Sequence, residues 1–182
     1  TRRPVFPDDP EHEFNAAQKA LVTVNAEKYY SAMIRGGAGS WNVRDTHMME
    51  TLDRLLEFHG PNAKAIVWEH NTHIGDARYT DMADDGMFNI GQLARERYGR
   101  EQVKLVGFGS YQGNVIASRS WGAPMQKMDM PPAKEGSWEH MLHKISTDDK
   151  IILSKDLKAI PELQQSIPHR AIGVVYDPKM EH

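Results

Sequence analysis

The feature that most constrains this chain is an apolar run, Ala65-Ile66-Val67, that passes without a turn into Trp68-Glu69-His70-Asn71-Thr72-His73-Ile74-Gly75-Asp76. Two histidines, two carboxylates, an asparagine and a glycine follow directly on a strand-like segment. In an open α/β sheet, ligands bind beyond the carboxyl ends of the strands. Polar groups gathered at such a strand end point to a site more than to a scaffold, because strand-end loops carry function disproportionately.

Composition removes several alternatives. At 182 residues the chain can bury a core of its own without disulfides or metals. It has no cysteine, which excludes a disulfide scaffold and thiolate zinc sites. A formal charge of −3 gives no basic footprint for nucleic acid. No apolar stretch is long enough to span a membrane, and no apolar segment of a signal peptide follows Thr1-Arg2-Arg3-Pro4. The expectation is a cytoplasmic protein that meets neither nucleic acid nor membrane.

The proline-rich, charged residues 1–13 read as an arm or linker, and residues 14–182 as a single α/β domain. Val22, Ala26, Tyr29 and Met33 recur on one helix face within 14–35, and Gly36-Gly37 ends that helix. Ser40 is placed to cap a second helix with the stripe Met48, Leu52, Leu55 and Leu56, closed by Gly60-Pro61. Residues 64–68 and 103–108 read as strands. Between them, Asn89 caps a helix that carries Ile90, Leu93, Ala94 and Tyr98 and stops at Gly99. That order is a βαβ unit with a right-handed crossover. Further strands are expected at 114–118, 151–153 and 171–176, with a short helix capped by Ser137. The expected architecture is a mixed, largely parallel sheet flanked by helices, an incomplete part of a larger α/β hydrolase-type domain.

His70 and His73 are the first candidates for chemistry, since two imidazoles three residues apart can orient a water, stabilise an oxyanion or bind a metal. The metal reading needs Asp76 as a third ligand, and His-x-x-His-x-x-Asp is a weak pattern for one. Glu69 shares a strand face with Ala65 and Val67, so burial there demands a partner or a raised pKa. Arg44 extends the stripe of Met48, Leu52 and Leu55 toward the helix start, where an inward cation can reach a carboxylate or a substrate oxygen. Each of these residues also has a plainer reading, as a capped loop residue, a solvated carboxylate or an arginine that snorkels. His140 and His143 share a helix face of the kind that is usually solvated. Gly107-Phe108-Gly109-Ser110 lacks the spacing of a nucleophile elbow. With no obvious nucleophile, water activated by a histidine is the simplest chemistry.

Asn25-Ala26-Glu27-Lys28-Tyr29-Tyr30, Asn42-Val43-Arg44-Asp45 with Met48, and above all Val67-Trp68-Glu69-His70-Asn71-Thr72-His73 resemble the erythromycin esterase family of hydrolases. Leu105-Val106-Gly107-Phe108-Gly109 and Ala171-Ile172-Gly173-Val174-Val175-Tyr176 extend the resemblance over nearly the whole chain. It implies metal-independent hydrolysis of a small-molecule ester or lactone without a cofactor, and in some members resistance to macrolide antibiotics. It also implies catalytic roles for His70, His73 and Glu69, and substrate contacts from Arg44, Asp45 and Asn71. The family's presumed general base is another histidine, in a Gly-Glu-x-x-His-Gly type segment that this sequence does not contain; Glu11-His12 lacks its glycines. The resemblance therefore implies the C-terminal portion of a hydrolase, weak or inactive alone, whose partner is the missing N-terminal half or a second copy. A metal-dependent hydrolase using His70, His73 and Asp76, and a non-enzymatic binding or assembly module, are the alternatives.

Overall fold

The computed structural model describes residues 10–179, which fall into two compact units that meet between Gly107 and Phe108. Of the expected arm, residues 1–9 lie outside the described residues, and residues 10–13 are already helical.

The first unit is built on an antiparallel helical hairpin, α1 (Pro10–Arg35) and α2 (Gly39–His59). Phe14 stacks on Phe58 at 4.5 Å, Gln18 accepts from Arg54, and Asn25 meets His47 at 2.8 Å. Partners move up one helix as they move down the other. The reversal needs the left-handed backbone of Gly36 and Gly37, at φ of 74° and 71°. Ala38, without a side-chain cap, precedes α2, so Ser40 lies inside the helix and does not cap it. Gly60 closes α2 as expected, its N–H donating to Leu56 and Glu57.

A one-turn helix, α3 (Asn71–Ile74), and two 3-10 turns, Ala77–Tyr79 and Asp81–Ala83, lead to α4 (Ile90–Tyr98). Asn89 caps α4 through its side chain, accepting from Gln92 N at 2.9 Å. Met49, Ile90 and Ala94 form the buried core here, with Met48, Leu52, Leu93 and Val103 packed against them. Gly91 lies so close to α3 that a Cβ there would sit 2.1 Å from the Gly75 carbonyl oxygen. Only glycine lets the start of α4 press against the end of α3. Tyr98 donates to Asp53 of α2, and its hydroxyl pKa is pushed up to about 12, by burial first and then by that hydrogen bond.

The second unit holds the only sheet among the described residues, an antiparallel pair of β1 (Gly113–Ala117) and β2 (Gln126–Met130) with Val115 opposite Met128. Ala117, Met128, Met130 and Tyr176 form its core, with Val115 and Ile172 packed against it. Just beyond β1, Ser118 forms a parallel bridge with Val175 of the run 171–176. α5 (Trp138–Ile145) is capped by Ser137 as expected. A further helical turn, α6 (Ser154–Leu157), and a 3-10 turn, Pro161–Leu163, follow. Arg170 ties the unit together, its guanidinium donating to the carbonyls of Ser110, Tyr111 and Pro131.

The largely parallel sheet and its βαβ unit are not what the structure forms. Residues 64–68, 103–108 and 151–153 belong to no strand among the described residues. Ile66 is 94% exposed, Phe108 65% and Ile151 95%. Apolar runs of this length become strands only when a neighbour satisfies their backbone groups. The architecture is mixed helix with a small antiparallel sheet.

Glu139, almost fully buried on α5, accepts from His169 Nδ1 at 2.6 Å and from the Arg170 N–H. Burial by itself raises the Glu139 carboxyl, but the His169 hydrogen bond and the backbone donors outweigh it and hold the group below its ordinary 4.5. The bond to Glu139 in turn raises His169 above its ordinary 6.5, against burial. A depressed carboxylate contributes stability that is lost as pH falls through its folded pKa. A raised histidine contributes stability that is lost as pH rises through its folded pKa. The second unit is therefore expected to be most stable between 4.5 and 6.5, weakening on both sides. Hydrogen exchange of α5 against pH, with His169→Gln removing the alkaline decline, checks this; identical alkaline profiles in the two proteins would contradict it.

Candidate active site

The three residues Trp41, Arg44 and Asp45 lie at i, i+3 and i+4 on α2, so they share one helix face. That face forms a slot for the imidazole of His73. Trp41 stacks on the ring, 4.3 Å between centroids and 2° from parallel. Asp45 Oδ1 lies 2.9 Å from His73 Nδ1, and Arg44 Nη2 lies 3.0 Å from His73 Nε2. The Arg44 guanidinium also covers the Trp41 ring at 4.7 Å. Trp41 is fixed by donating its indole N–H to the Phe88 carbonyl at 2.7 Å.

Asp45 is fully buried, and its Oδ1 also accepts the Ile90 N–H at 3.0 Å. Ile90 opens α4, so the carboxylate lies at a helix N-terminus, where a negative charge is favoured. It is shielded from solvent and bonded to His73 and to the start of α4.

Glu69 brings its Oε2 within 3.9 Å of His73 Nδ1. Burial raises its pKa most; His73 lowers it, the Asp45 charge raises it further, and Arg44 lowers it. The net direction is upward. Among the described residues, Asp45 Oδ2, Glu69 Oε2 and Arg44 Nε are buried polar atoms without a hydrogen-bond partner. Three such atoms on neighbouring residues mark a polar centre enclosed by protein.

His70, exposed, is the N-cap of α3: its Nδ1 accepts from Thr72 N at 3.3 Å and lies 2.9 Å from Thr72 Oγ1. This is the capping role that the plainer sequence reading allows. Asn71 opens α3, and a Cβ on Gly107 would lie 3.7 Å from its Oδ1. Asp76 is drawn away from the histidines. Arg78 grips both its oxygens, at 2.9 and 2.8 Å, and Arg95 reaches it at 3.4 Å. The Arg78 hydrogen bonds hold its pKa below the ordinary value. The described residues contain no group of three or more His, Cys, Asp or Glu placed to hold a metal, so His70, His73 and Asp76 do not assemble as a ligand set.

Two supporting residues escape the sequence reading. Trp41 carries no catalytic group, and only its spacing from Arg44 and Asp45 on a helix face signals it. Asn89 is legible as a cap, but it also donates to the Thr72 carbonyl at 2.8 Å and holds α3 to α4. Nothing local in the sequence indicates that second bond.

A model of the erythromycin esterase family matches residues 5–182, nearly the whole chain, and the chain belongs to that family. Membership suggests an ester-hydrolysing enzyme. No solved structure matches the chain.

A group whose folded pKa is raised contributes stability below its unfolded pKa, and loses it as pH rises through the folded value. Ionised Glu69 is therefore a source of instability at neutral pH. Glu69→Gln is expected to raise the melting temperature at neutral pH, with the gain vanishing below the ordinary carboxyl value of 4.5. Thermal unfolding across that range measures it; a Glu69→Gln protein less stable at neutral pH would show that the carboxylate is net favourable.

Proposed function

We propose that this chain carries the carbonyl-binding side of the active site of an ester or lactone hydrolase, working without a metal. The observation that carries the reading is the arginine held against a stacked histidine, beside a carboxyl group of raised pKa, on a chain of the erythromycin esterase family.

Hydrolysis of an ester builds negative charge on the carbonyl oxygen, and a preorganised donor at that oxygen lowers the barrier. Arg44 is such a donor, always charged and fixed on two sides. Glu69, protonated more readily than an ordinary glutamate, suits proton donation to the leaving alkoxide. His70 and Asn71, at the start of α3, are assigned substrate contacts in this reading. His73 and Asp45 frame the arginine. The water-activating base belongs to a segment of the Gly-Glu-x-x-His-Gly kind, which this sequence does not contain. That segment, or a second copy of the chain, is the expected partner. The substrate is a small ester or lactone, with macrolides as one specialised case.

General-base catalysis contributes about 10²–10⁴-fold, so this chain is expected to hydrolyse p-nitrophenyl esters slowly, and equally well with a chelator. Arg44→Ala should lower the rate by about 10²-fold or more, the usual effect of removing one oxyanion donor. Initial rates with and without chelator test both statements. Loss of hydrolysis on chelation, or an unchanged rate in Arg44→Ala, would contradict the reading.

A further inference from the structure

His73 occupies the centre of the site, yet its geometry is that of a clamp. A guanidinium has only donors, so Arg44 Nη2 at 3.0 Å can bond His73 Nε2 only if that nitrogen presents its lone pair. The ring proton then sits on Nδ1, where Asp45 Oδ1 accepts it at 2.9 Å. Asp45 in turn is held by the Ile90 N–H. Trp41 fixes the plane of the ring, and the side chain of His73 is only 15% exposed. Both ring nitrogens are thus committed to neighbours on α2, and a water at Nε2 would have to displace Arg44.

We propose that His73 is a positioning residue that clamps Arg44, with its proton locked on Nδ1 by Asp45, and that Arg44 is the group that meets the substrate oxygen. The role resembles a metal-ligating histidine whose far nitrogen is oriented by a carboxylate, with the guanidinium in place of the metal. It rests on the ester-hydrolase reading for the identity of the oxygen that Arg44 binds, but the clamp itself can be tested without turnover. Trp41 contributes by confining both partners, since the imidazole and the guanidinium each lie against its ring.

The clamp requires a hydrogen-bond donor toward Asp45 and an acceptor toward Arg44, which a glutamine amide can also supply. Two measurements on the full chain test it. Long-range ¹H–¹⁵N correlation at neutral pH should show His73 protonated on Nδ1 and bare on Nε2; a proton on Nε2 would overturn the clamp outright, whatever the activity. Binding of a phosphonate monoester, a stable mimic of the tetrahedral oxyanion, should weaken about 10-fold or more in His73→Ala, the value of one charge-assisted hydrogen bond. His73→Gln should recover most of that loss. Glutamine cannot replace histidine in acid–base chemistry, so recovery separates positioning from proton transfer. A His73→Gln protein with unchanged melting temperature that binds as poorly as His73→Ala would overturn the clamp. If the wild-type chain shows the Nδ1–H tautomer but binds no phosphonate, the clamp is supported and the ester-hydrolase reading fails.

Discussion

Asp45 is a carboxylate with no access to water, and the first unit is organised around it. An ion taken out of water costs several kcal/mol unless its oxygens are bonded. Here the offset comes from two other helices: His73 of α3 donates from Nδ1, and Ile90 donates from the first turn of α4. One carboxylate therefore joins α2, α3 and α4 at a point. The arrangement requires close approach of backbones, which Gly91 provides where any side chain would collide with the Gly75 carbonyl. Asn89, buried beside it, bonds the Thr72 carbonyl and caps α4 with the same side chain. Removing the Asp45 charge would loosen the histidine and, through it, the arginine.

Electrostatics around this point explain why one glutamate differs from an ordinary one. Glu69 is raised first by burial, and buried Asp45 in the same surroundings raises it further. Asp45 already holds the histidine and a helix N-terminus, while Glu69 has neither contact at hydrogen-bond distance and lies 3.9 Å from the ring. The site thus separates two carboxyl groups by environment, Asp45 bonded so that it orients the histidine and Glu69 shifted toward the protonated form. That division of labour suits acid–base work on a neutral substrate such as an ester.

Much of the helical framework was legible because its signals are local. Asn89, Ser137 and Gly60 act as the caps and stop that their residue types predict, and Met48 and Leu52 of the α2 stripe pack on a buried core together with Leu93 of α4. The sheet was not legible. Residues 64–68 and 103–108 have the composition of strands, but strand formation is a tertiary property and they join no sheet among the described residues. Conversely, Gln126–Met130 looks polar, yet it alternates Met128 and Met130 inward with Lys127 and Asp129 outward, a period of two that marks β2. At the site, Glu69, His70 and His73 were visible as a polar run after an apolar one, though the strand expected before them does not form, and Arg44 as an inward cation. Asp76 was misplaced among them, because its arginine partners Arg78 and Arg95 come from the turn that follows and from α4. Spacing alone did not reveal that Asp45 faces inward or that Trp41 covers the histidine.

The proposed chemistry depends on which group meets the substrate oxygen, the imidazole of His73 or the guanidinium that it holds. The most direct measurement is a crystal structure of the chain with a phosphonate monoester bound. The account predicts a phosphonyl oxygen within hydrogen-bond distance of Arg44, with the contact of Arg44 Nη2 to His73 Nε2 retained. A phosphonyl oxygen bonded to His73 Nε2, with Arg44 displaced from the ring, would contradict it.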